Sequence, residues 1–325
     1  MQNKLCEALG ITKPVLAASM NWLSNAEWAA AISNAGGLGN LGFNCGHTTT
    51  TTDLGETVER YRQEIRKTRN LTDKPFSVTY ILPVEGNEAS RVFSDPIFAM
   101  FCEEKVDVIY TNSMMPLANE TEIKRIQNCG IKVLHRDLSA TKESLLHADS
   151  LGVDAMIVTG FEAGGHMTAH KIGLFSMLQE VGSLLKTPFA AGGGICTEAV
   201  ARAAREMGAQ GVYVGTRLLV TEENPASDKT KQAIIDTRAK DLIEFRAQVG
   251  YLRTSRSPMS EQCDKLAREG ADARAIAGVY ADVWRSGMLL GDVENGFISV
   301  SDAIDNITSV KTCKDVVAEL SAAFE

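Results

Sequence analysis

TPFAAGGGICTEAVARAAREMGAQGVYVGTRLL, residues 187–219, contains one complete strand–helix–strand unit. The apolar run at 187–194 is typical of a buried strand that ends in glycines, and 196–208 has the pattern of a helix. Residues 209–219 form a second predicted strand and its turn. Because two buried strands joined by a crossover helix pair in parallel, this stretch predicts an α/β fold.

The same alternation of strand and helix runs through the preceding sequence. Six further segments are predicted at 13–19, 37–43, 74–82, 106–113, 131–137 and 153–160, all as strands except 37–43, which is a short strand or turn. About eight such units over a length of this order are typical of a (β/α)8 TIM barrel. The alternative is an open doubly wound sheet, but the GxGxxG motif that would open its first helix is absent. We therefore predict an α/β fold of the (β/α)8 barrel type.

The pattern changes after residue 224. Residues 224–244 and 260–287 are predicted as helices without intervening strands. We predict a barrel core over residues 1–224 and an appended smaller helical domain over residues 225–325. This second region is expected to cover the barrel mouth and to return to the barrel at its C-terminal end.

Composition excludes several function classes. The 325 residues carry a net charge of -8 and a pI near 5.3, which argue against a nucleic-acid partner. The seven cysteines are scattered and contain no CxxC, a pattern that fits neither a disulfide framework nor a zinc site and favours a reducing cytoplasm. No signal-peptide core and no apolar run of about 20 residues is present, so we expect a cytoplasmic protein with no membrane partner.

The ends of the seventh and eighth predicted strands suggest an anion site. AAGGGI at 190–195 and VGTRLL at 214–219 place glycines at the carboxyl ends of strands, where barrel active sites lie. Glycines there expose backbone N–H groups beside a helix N-terminus, an arrangement that binds phosphate. Thr216 adds a hydroxyl and Arg217 a charge. The alternative is that these glycines only form tight turns.

GFEAGGH, residues 160–166, follows the sixth predicted strand on the same rim. His166 is the candidate for proton exchange, because imidazole titrates near neutral pH. Glu162 either orients the loop or accepts hydrogen bonds from backbone N–H groups, and a structural role is favoured. His170 lies four residues beyond His166, a spacing that two zinc ligands on a helix can have. No third ligand is evident, so we predict no metal site.

Other residues at strand ends are weaker candidates for the pocket. His135 and Asp137 end the fifth predicted strand. Met20 and Trp22 follow the first, where they either face a planar ligand or belong to the core. The amide side chains near the second strand are those of Asn40 and Asn44. Phosphate-binding loops beside a flat apolar wall favour a phosphorylated aromatic cofactor, with FMN first and a sugar phosphate substrate as the alternative.

Six segments in this order give the chain a family resemblance. They are ASMNWLSNAEWAAAISNAGGLGNLG (18–42), DKPFSV (73–78), GFEAGGH (160–166), AAGGGI (190–195), VGTRLL (214–219) and GDVENGFISVSDAI (291–304). Together they resemble the nitronate monooxygenase (2-nitropropane dioxygenase) family, which also includes FMN-dependent enoyl-acyl-carrier-protein reductases and NADH:quinone reductases. The likeness runs from about residue 5 to residue 320.

The resemblance implies an FMN-binding TIM barrel with a smaller helical domain. It implies that Gly193, Gly194, Gly215 and Thr216 hold the FMN phosphate, and that His166 is the catalytic acid or base. The ring of the cofactor would then lie against residues Ala18, Ser19, Met20, Thr79 and Gly165. Many relatives have asparagine at the position of Thr79, and Gly-Gln at the position of Ser301-Asp302.

Three functions follow as alternatives from the resemblance. The first is oxidation of nitronates with flavin and dioxygen. The second is NAD(P)H-dependent reduction of an enoyl-acyl-carrier-protein, or of a quinone, on the same scaffold, with NAD(P)H as co-substrate. The third is a non-catalytic FMN-binding protein. The expected partner is a small-molecule substrate, and because relatives are often dimers, a homodimer is also an expectation.

Overall fold

Eight parallel strands form the barrel in the computed structural model, which describes residues 3–113, 115, 117–247, 250–279 and 282–325. These strands are β1 (Val15–Ala17), β2 (Gly39–Leu41), β3 (Phe76–Ile81), β4 (Val108–Ser113), β5 (Lys132–Asp137), β6 (Ala155–Thr159), β8 (Phe189–Gly192) and β9 (Gly211–Val214). Their order in the sheet is β1-β9-β8-β6-β5-β4-β3-β2, and a parallel bridge between Leu16 and Leu38 joins the two end strands. The predicted (β/α)8 barrel is confirmed.

Helices alternate with these strands on the outside of the barrel. They are α2 (Ala26–Asn34), α3 (Leu54–Leu71), α4 (Glu88–Glu103), α5 (Glu120–Asn128), α6 (Lys142–Ser150), α7 (Leu174–Val181), α8 (Glu198–Glu206) and the short α9 (Thr216–Leu219). The sequence at 25–37 predicts Asn25 as a helix cap, and Asn25 caps α2, since its side chain accepts from the Trp28 N–H. The sequence at 139–152 predicts Ser139 as the cap of the next such helix, α6, but this is wrong: Thr141 caps it, in a reciprocal capping box with Ser144.

The barrel interior has an apolar lower half and a polar upper half. Leu16, Leu134 and Ile157 pack at the lower level, where α1 (Lys4–Leu9) closes the bottom of the barrel with buried leucines. Residues two positions further along the strands point to the same side, because side chains alternate in a strand. These are polar on several strands, so the carboxyl end of the barrel can hold a polar ligand.

The appended region is not purely helical, and the prediction of helices without strands is wrong. It contains α10 (Asp228–Asp236), α11 (Pro258–Arg268), α12 (Ala273–Val279), and a hairpin of β10 (Ile243–Arg246) and β11 (Tyr251–Thr254). β11 pairs antiparallel with β7 (Gly165–Met167), which was predicted as a loop. This sheet attaches the appended region directly to the strand that contains His166.

The chain then returns to the barrel. Arg285–Leu289 form a π-helical turn and Asp302–Asn306 a 3-10 turn, followed by α13 (Cys313–Ser321) and a last 3-10 turn at Ala322–Phe324. α13 contacts α2 and α8 on the outside of the barrel. The domain boundary near residue 224 stays a prediction. None of the helices in the described ranges is both long and apolar enough to cross a bilayer.

Candidate active site

An open cavity of about 360 Å³ lies at the carboxyl ends of the barrel strands. All ten residues predicted for the site line it: Ala18, Ser19, Met20, Thr79, Gly165, His166, Gly193, Gly194, Gly215 and Thr216. They come from five different parts of the strand order, at or after β1, β3, β6, β8 and β9, so only the closed barrel brings them together. Their individual roles remain predictions.

The turn after β8 exposes its backbone toward this cavity. Gly193 and Gly194 have φ values of +98° and +72°, in the left-handed region that favours glycine. A Cβ on Gly193 would lie 2.9 Å from the carbonyl oxygen of Gly160, so a larger residue does not fit. Within the part of the chain that the structure describes, the Gly194 N–H meets no protein acceptor. Such a turn is a concave site for an anion.

Thr216 follows β9, the strand next to β8 in the sheet, and lines the same cavity. Its hydroxyl oxygen accepts the N–H of Ser301 at 2.9 Å. The hydroxyl proton can therefore be donated to a ligand. The Ser301 hydroxyl donates to the carbonyl of Glu162 at 2.7 Å. Ser301 therefore connects the loop after β6 with the turn after β9.

Ser19 and Thr79 belong to one hydrogen-bonded chain across the first three strands. Their hydroxyl oxygens lie 2.6 Å apart, and Thr79 also donates to the amide oxygen of Asn40 at 3.0 Å. Asn40 in turn donates to Ser77 at 2.9 Å. The threonine that departs from the family pattern is thus held by two partners. The prediction that Asn40 offers its amide to a ligand is wrong: Asn40 is fully buried, does not line the cavity and bonds to Ser77 and Thr79.

Arg136 supplies the positive charge of the cavity, although no sequence motif pointed to it. It extends inward from β5, where its Nε donates to the Thr159 hydroxyl at 3.1 Å and a terminal nitrogen donates to the carbonyl of His166 at 3.1 Å. Its guanidinium lies 5.7 Å from the ring centre of Tyr213, which stacks on Tyr110. Tyr213 accepts the Ser19 N–H and donates to Tyr110, so the floor is a connected polar layer.

His166 stands above this floor with its ring exposed to the cavity. Despite that opening, desolvation in the mouth, followed by the nearby positive charge of Arg136, lowers its pKa to about 4. The imidazole is therefore neutral at pH 7 and can accept a proton. Its ring centre lies 5.4 Å from that of Trp284, which comes from the appended region.

The segment around His166 is fixed from two directions. The Glu162 carboxylate accepts the Leu174 N–H at 2.8–2.9 Å and so caps α7, which confirms the structural role expected for Glu162. Arg253, buried on β11, donates to the carbonyls of Phe161 and Ala163 at 2.9 Å each. A Cβ on Gly164 would lie 2.2 Å from the backbone of Val300, so glycine is required where these two backbones meet.

Several lower-weight candidates lie outside the cavity. His135 and Asp137 are wrong as pocket residues, because they alternate with Arg136 on β5 and face the helices. His135 bonds to Thr111 at 2.8 Å, and burial lowers its pKa to about 4. Asp137 accepts the Ser139 N–H at 2.7 Å, and burial raises its pKa.

The structure corrects two further predictions of ligand contact and decides between the two alternatives for Trp22. Arg217 points away and donates to the carbonyls of Val220 and Ser309, so it is not available to a phosphate. Of the two alternatives for Trp22, the structure supports the core: Trp22 is buried and does not line the cavity, whereas Met20, Asn21 and Leu23 do. Asn44 donates to the amide oxygen of Asn21 at 3.1 Å and does not itself line the cavity.

His166 and His170 do not lie on a helix, so their spacing of four residues does not place them as a pair of zinc ligands. His166 lies in β7, and His170 lies in the turn that follows, so the two do not share a helix face. Among the described residues, no group of three or more histidine, cysteine, aspartate or glutamate side chains is placed to hold a metal ion.

Comparisons with known proteins agree on one family. The family model described as nitronate monooxygenase matches residues 2–323. A probable nitronate monooxygenase from Staphylococcus haemolyticus is 30% identical over 274 residues, which are 74% of each chain. The nitronate monooxygenase of Pseudomonas aeruginosa is 30% identical over 275 residues, 74% of this chain and 75% of that one.

Solved structures show the same architecture. That of FabK from Thermotoga maritima has a TM-score of 0.84 and 25% identity, and covers 100% of this chain and 96% of its own. A nitroalkane oxidase from Streptomyces ansochromogenes has a TM-score of 0.78 and 22% identity, with coverage of 97% and 96%, and supports the fold alone.

Proposed function

Since this chain belongs to the nitronate monooxygenase family, we propose that it binds FMN in the barrel cavity and uses it to oxidise nitronates. Membership makes it an oxidoreductase; the cofactor, the substrate and the residue roles are the proposal. The observation that carries the proposal is the meeting of an anion-binding glycine turn, a polar floor and a neutral imidazole in one cavity.

The residues present fit a flavin with a terminal phosphate. Gly193 and Gly194 would receive the phosphate on backbone N–H groups, with the Thr216 hydroxyl as a further donor. The aromatic ring system would lie across the barrel end, above the layer formed by Ser19 and Thr79. When bound, FMN supplies the electron-accepting chemistry that the side chains lack.

The protein groups would then orient and polarise the substrate. Arg136 places a fixed positive charge under the mouth, where it lowers the energy of negative charge on a nitronate. His166 is neutral at pH 7 because its pKa is lowered, so a ring nitrogen can take the α-proton of a neutral nitroalkane. Trp284 shields this histidine from bulk solvent on one side.

The direct test is anaerobic reduction of the FMN-loaded protein. Propyl-2-nitronate should bleach the flavin absorbance rapidly, and air should restore it. Rapid bleaching by NADPH with none by the nitronate would overturn nitronate oxidation in favour of a reductase. Bound FMN that neither compound reduces would favour the non-catalytic alternative.

His166 has a specific test within the same assay. His166→Ala should retain FMN but lose most turnover with neutral nitroalkanes, because the proton acceptor is gone. It should lose little with preformed nitronates, which carry no α-proton to be removed. Equal losses with both substrates would assign His166 to binding, and full activity with both would remove it from the mechanism.

Enoyl reduction is the second candidate, and the apolar side of the mouth favours it. Phe43 and Ile81 line the cavity. Phe93, which is 40% exposed, packs beside Phe43, with 5.8 Å between the two ring centres. This path could receive the acyl chain of a thioester. Consumption of NAD(P)H that requires a medium-chain enoyl thioester would establish this activity. A rate with the thioester no higher than the rate with dioxygen alone would exclude it.

A further inference from the structure

The amino-terminal end of the barrel carries a pair of thiols in contact. Cys102 lies in the last turn of α4, and Cys129 follows directly after α5. The Sγ of Cys102 donates to the Sγ of Cys129 across 3.5 Å. These helix ends precede β4 and β5, so the pair is at the opposite end of the barrel from the cavity.

Independent contacts hold the two helices in this alignment. The Arg91 guanidinium of α4 pairs with the buried Glu122 of α5 at 2.8 Å. Arg125 of α5 pairs with Asp95 at 2.5 Å and lies 4.4 Å from the ring centre of Phe98. The neighbouring thiols are therefore placed by a packed helix pair and not by a chain terminus.

We propose that Cys102 and Cys129 are an oxidation site that closes to an intramolecular disulfide. A disulfide needs an Sγ–Sγ distance of about 2.05 Å, which a rotation of the side chains from 3.5 Å can supply. The bond would join residues 27 positions apart and connect α4 to α5. It would stabilise the barrel, because closing such a loop restricts the unfolded chain.

With hydrogen peroxide as oxidant, the reaction has two steps. Cys129, which is exposed, attacks the peroxide as the thiolate; the O–O bond breaks, and Cys129 sulfenic acid and hydroxide form. The Cys102 sulfur then attacks the sulfenic sulfur, the S–O bond breaks, and the proton of Cys102 leaves with the hydroxyl as water. Two thiols are oxidised and one peroxide is reduced to two waters. Burial raises the pKa of Cys102 to about 11, which makes it the second thiol to react.

The test uses the full-length protein, reduced and then treated with hydrogen peroxide. The intact mass should fall by about 2 Da, and a digest should contain one peptide that links Cys102 to Cys129 and that dithiothreitol releases. The thermal midpoint of the oxidised protein should rise, by on the order of 5 °C.

The control compares Cys129→Ser with Cys6→Ser, since Cys6 is another thiol with partial solvent access. Cys129→Ser should abolish the linked peptide and the rise in the midpoint, and Cys6→Ser should preserve both. The proposal fails if both thiols stay open to alkylation after oxidation. It also fails if Cys129 links two molecules instead, or if the midpoint of the cross-linked protein does not rise.

Discussion

Replacing Arg253 by methionine should destabilise the protein strongly, because this guanidinium joins the appended region to the segment before His166. Its side chain is 5% exposed and donates to the carbonyls of Phe161 and Ala163 at 2.9 Å. It also pairs with Glu244 at 2.7 Å and lies 3.4 Å from Asp302. Methionine has a similar length but no donor.

The expected loss of stability follows from the polar groups that the substitution leaves without a partner. Two carbonyl oxygens lose charged donors, and a partly buried carboxylate loses its closest cation. Each unsatisfied buried group costs about 1–3 kcal/mol, and breaking a buried charge pair costs about 3–5 kcal/mol in total. Since water can reach part of Glu244 and Asp302, we expect the free energy of unfolding to fall by about 3–4 kcal/mol.

Urea unfolding followed by circular dichroism measures this change, and Lys171→Met is the matched control. Lys171 contacts the same Glu244 carboxylate at 3.2 Å, but its side chain is 54% exposed. Its removal should cost about 1 kcal/mol or less, since exposed ion pairs contribute little. Similar losses in the two variants, or a loss below about 1 kcal/mol for Arg253→Met, would refute the reasoning.

Two further predictions concern pH and the contact between the regions. The folded protein lowers the pKa of His135 to about 4, and unfolded histidine titrates near 6.5. Protonation between these values therefore favours unfolding, and His135 should contribute a fall in stability of up to about 3 kcal/mol from pH 6.5 to pH 4. His166, whose pKa is also lowered to about 4, contributes to the same slope. His135→Leu should therefore reduce the slope by about half, and an unchanged slope would disprove the assignment. Arg285 donates to the Thr48 carbonyl at 2.9 Å and lies 5.9 Å from the ring centre of Trp22. Arg285→Ala should weaken FMN binding by about fivefold to tenfold in a fluorescence titration, whereas the exposed control Arg256→Ala should not.

The barrel could be predicted from sequence because its signals are local and repeated. Each strand is a short apolar run, and each helix has its own start and stop residues, as Asn25 shows for α2. The glycine-rich segments at strand ends pointed to part of the site, and the family resemblance supplied the rest, including Ala18, Ser19 and Thr79; all ten residues line the cavity. The start of α6 was predicted two residues too early. Ser139 and Thr141 are both good caps, and only the helix register decides between them.

The choice of His135 over Arg136 failed for a different reason. A barrel strand is buried on both faces, so its sequence does not show which residues point inward. In β5, His135 and Asp137 face the helices and Arg136 faces the cavity, a difference of one residue in register. The hairpin of β10 and β11 was missed because its strands are short and because β7, the further partner of β11, lies 84–88 residues earlier in the chain.

The most direct measurement of the central claim compares the binding of FMN and of riboflavin, which differ only in the terminal phosphate. Both are titrated into the flavin-free protein, with quenching of flavin fluorescence as the signal. If the turns at Gly193–Gly194 and Gly215–Thr216 hold the phosphate, FMN should bind at least about 100-fold more tightly, a difference of about 3 kcal/mol. Equal affinities, or no binding of either compound, would contradict the claim.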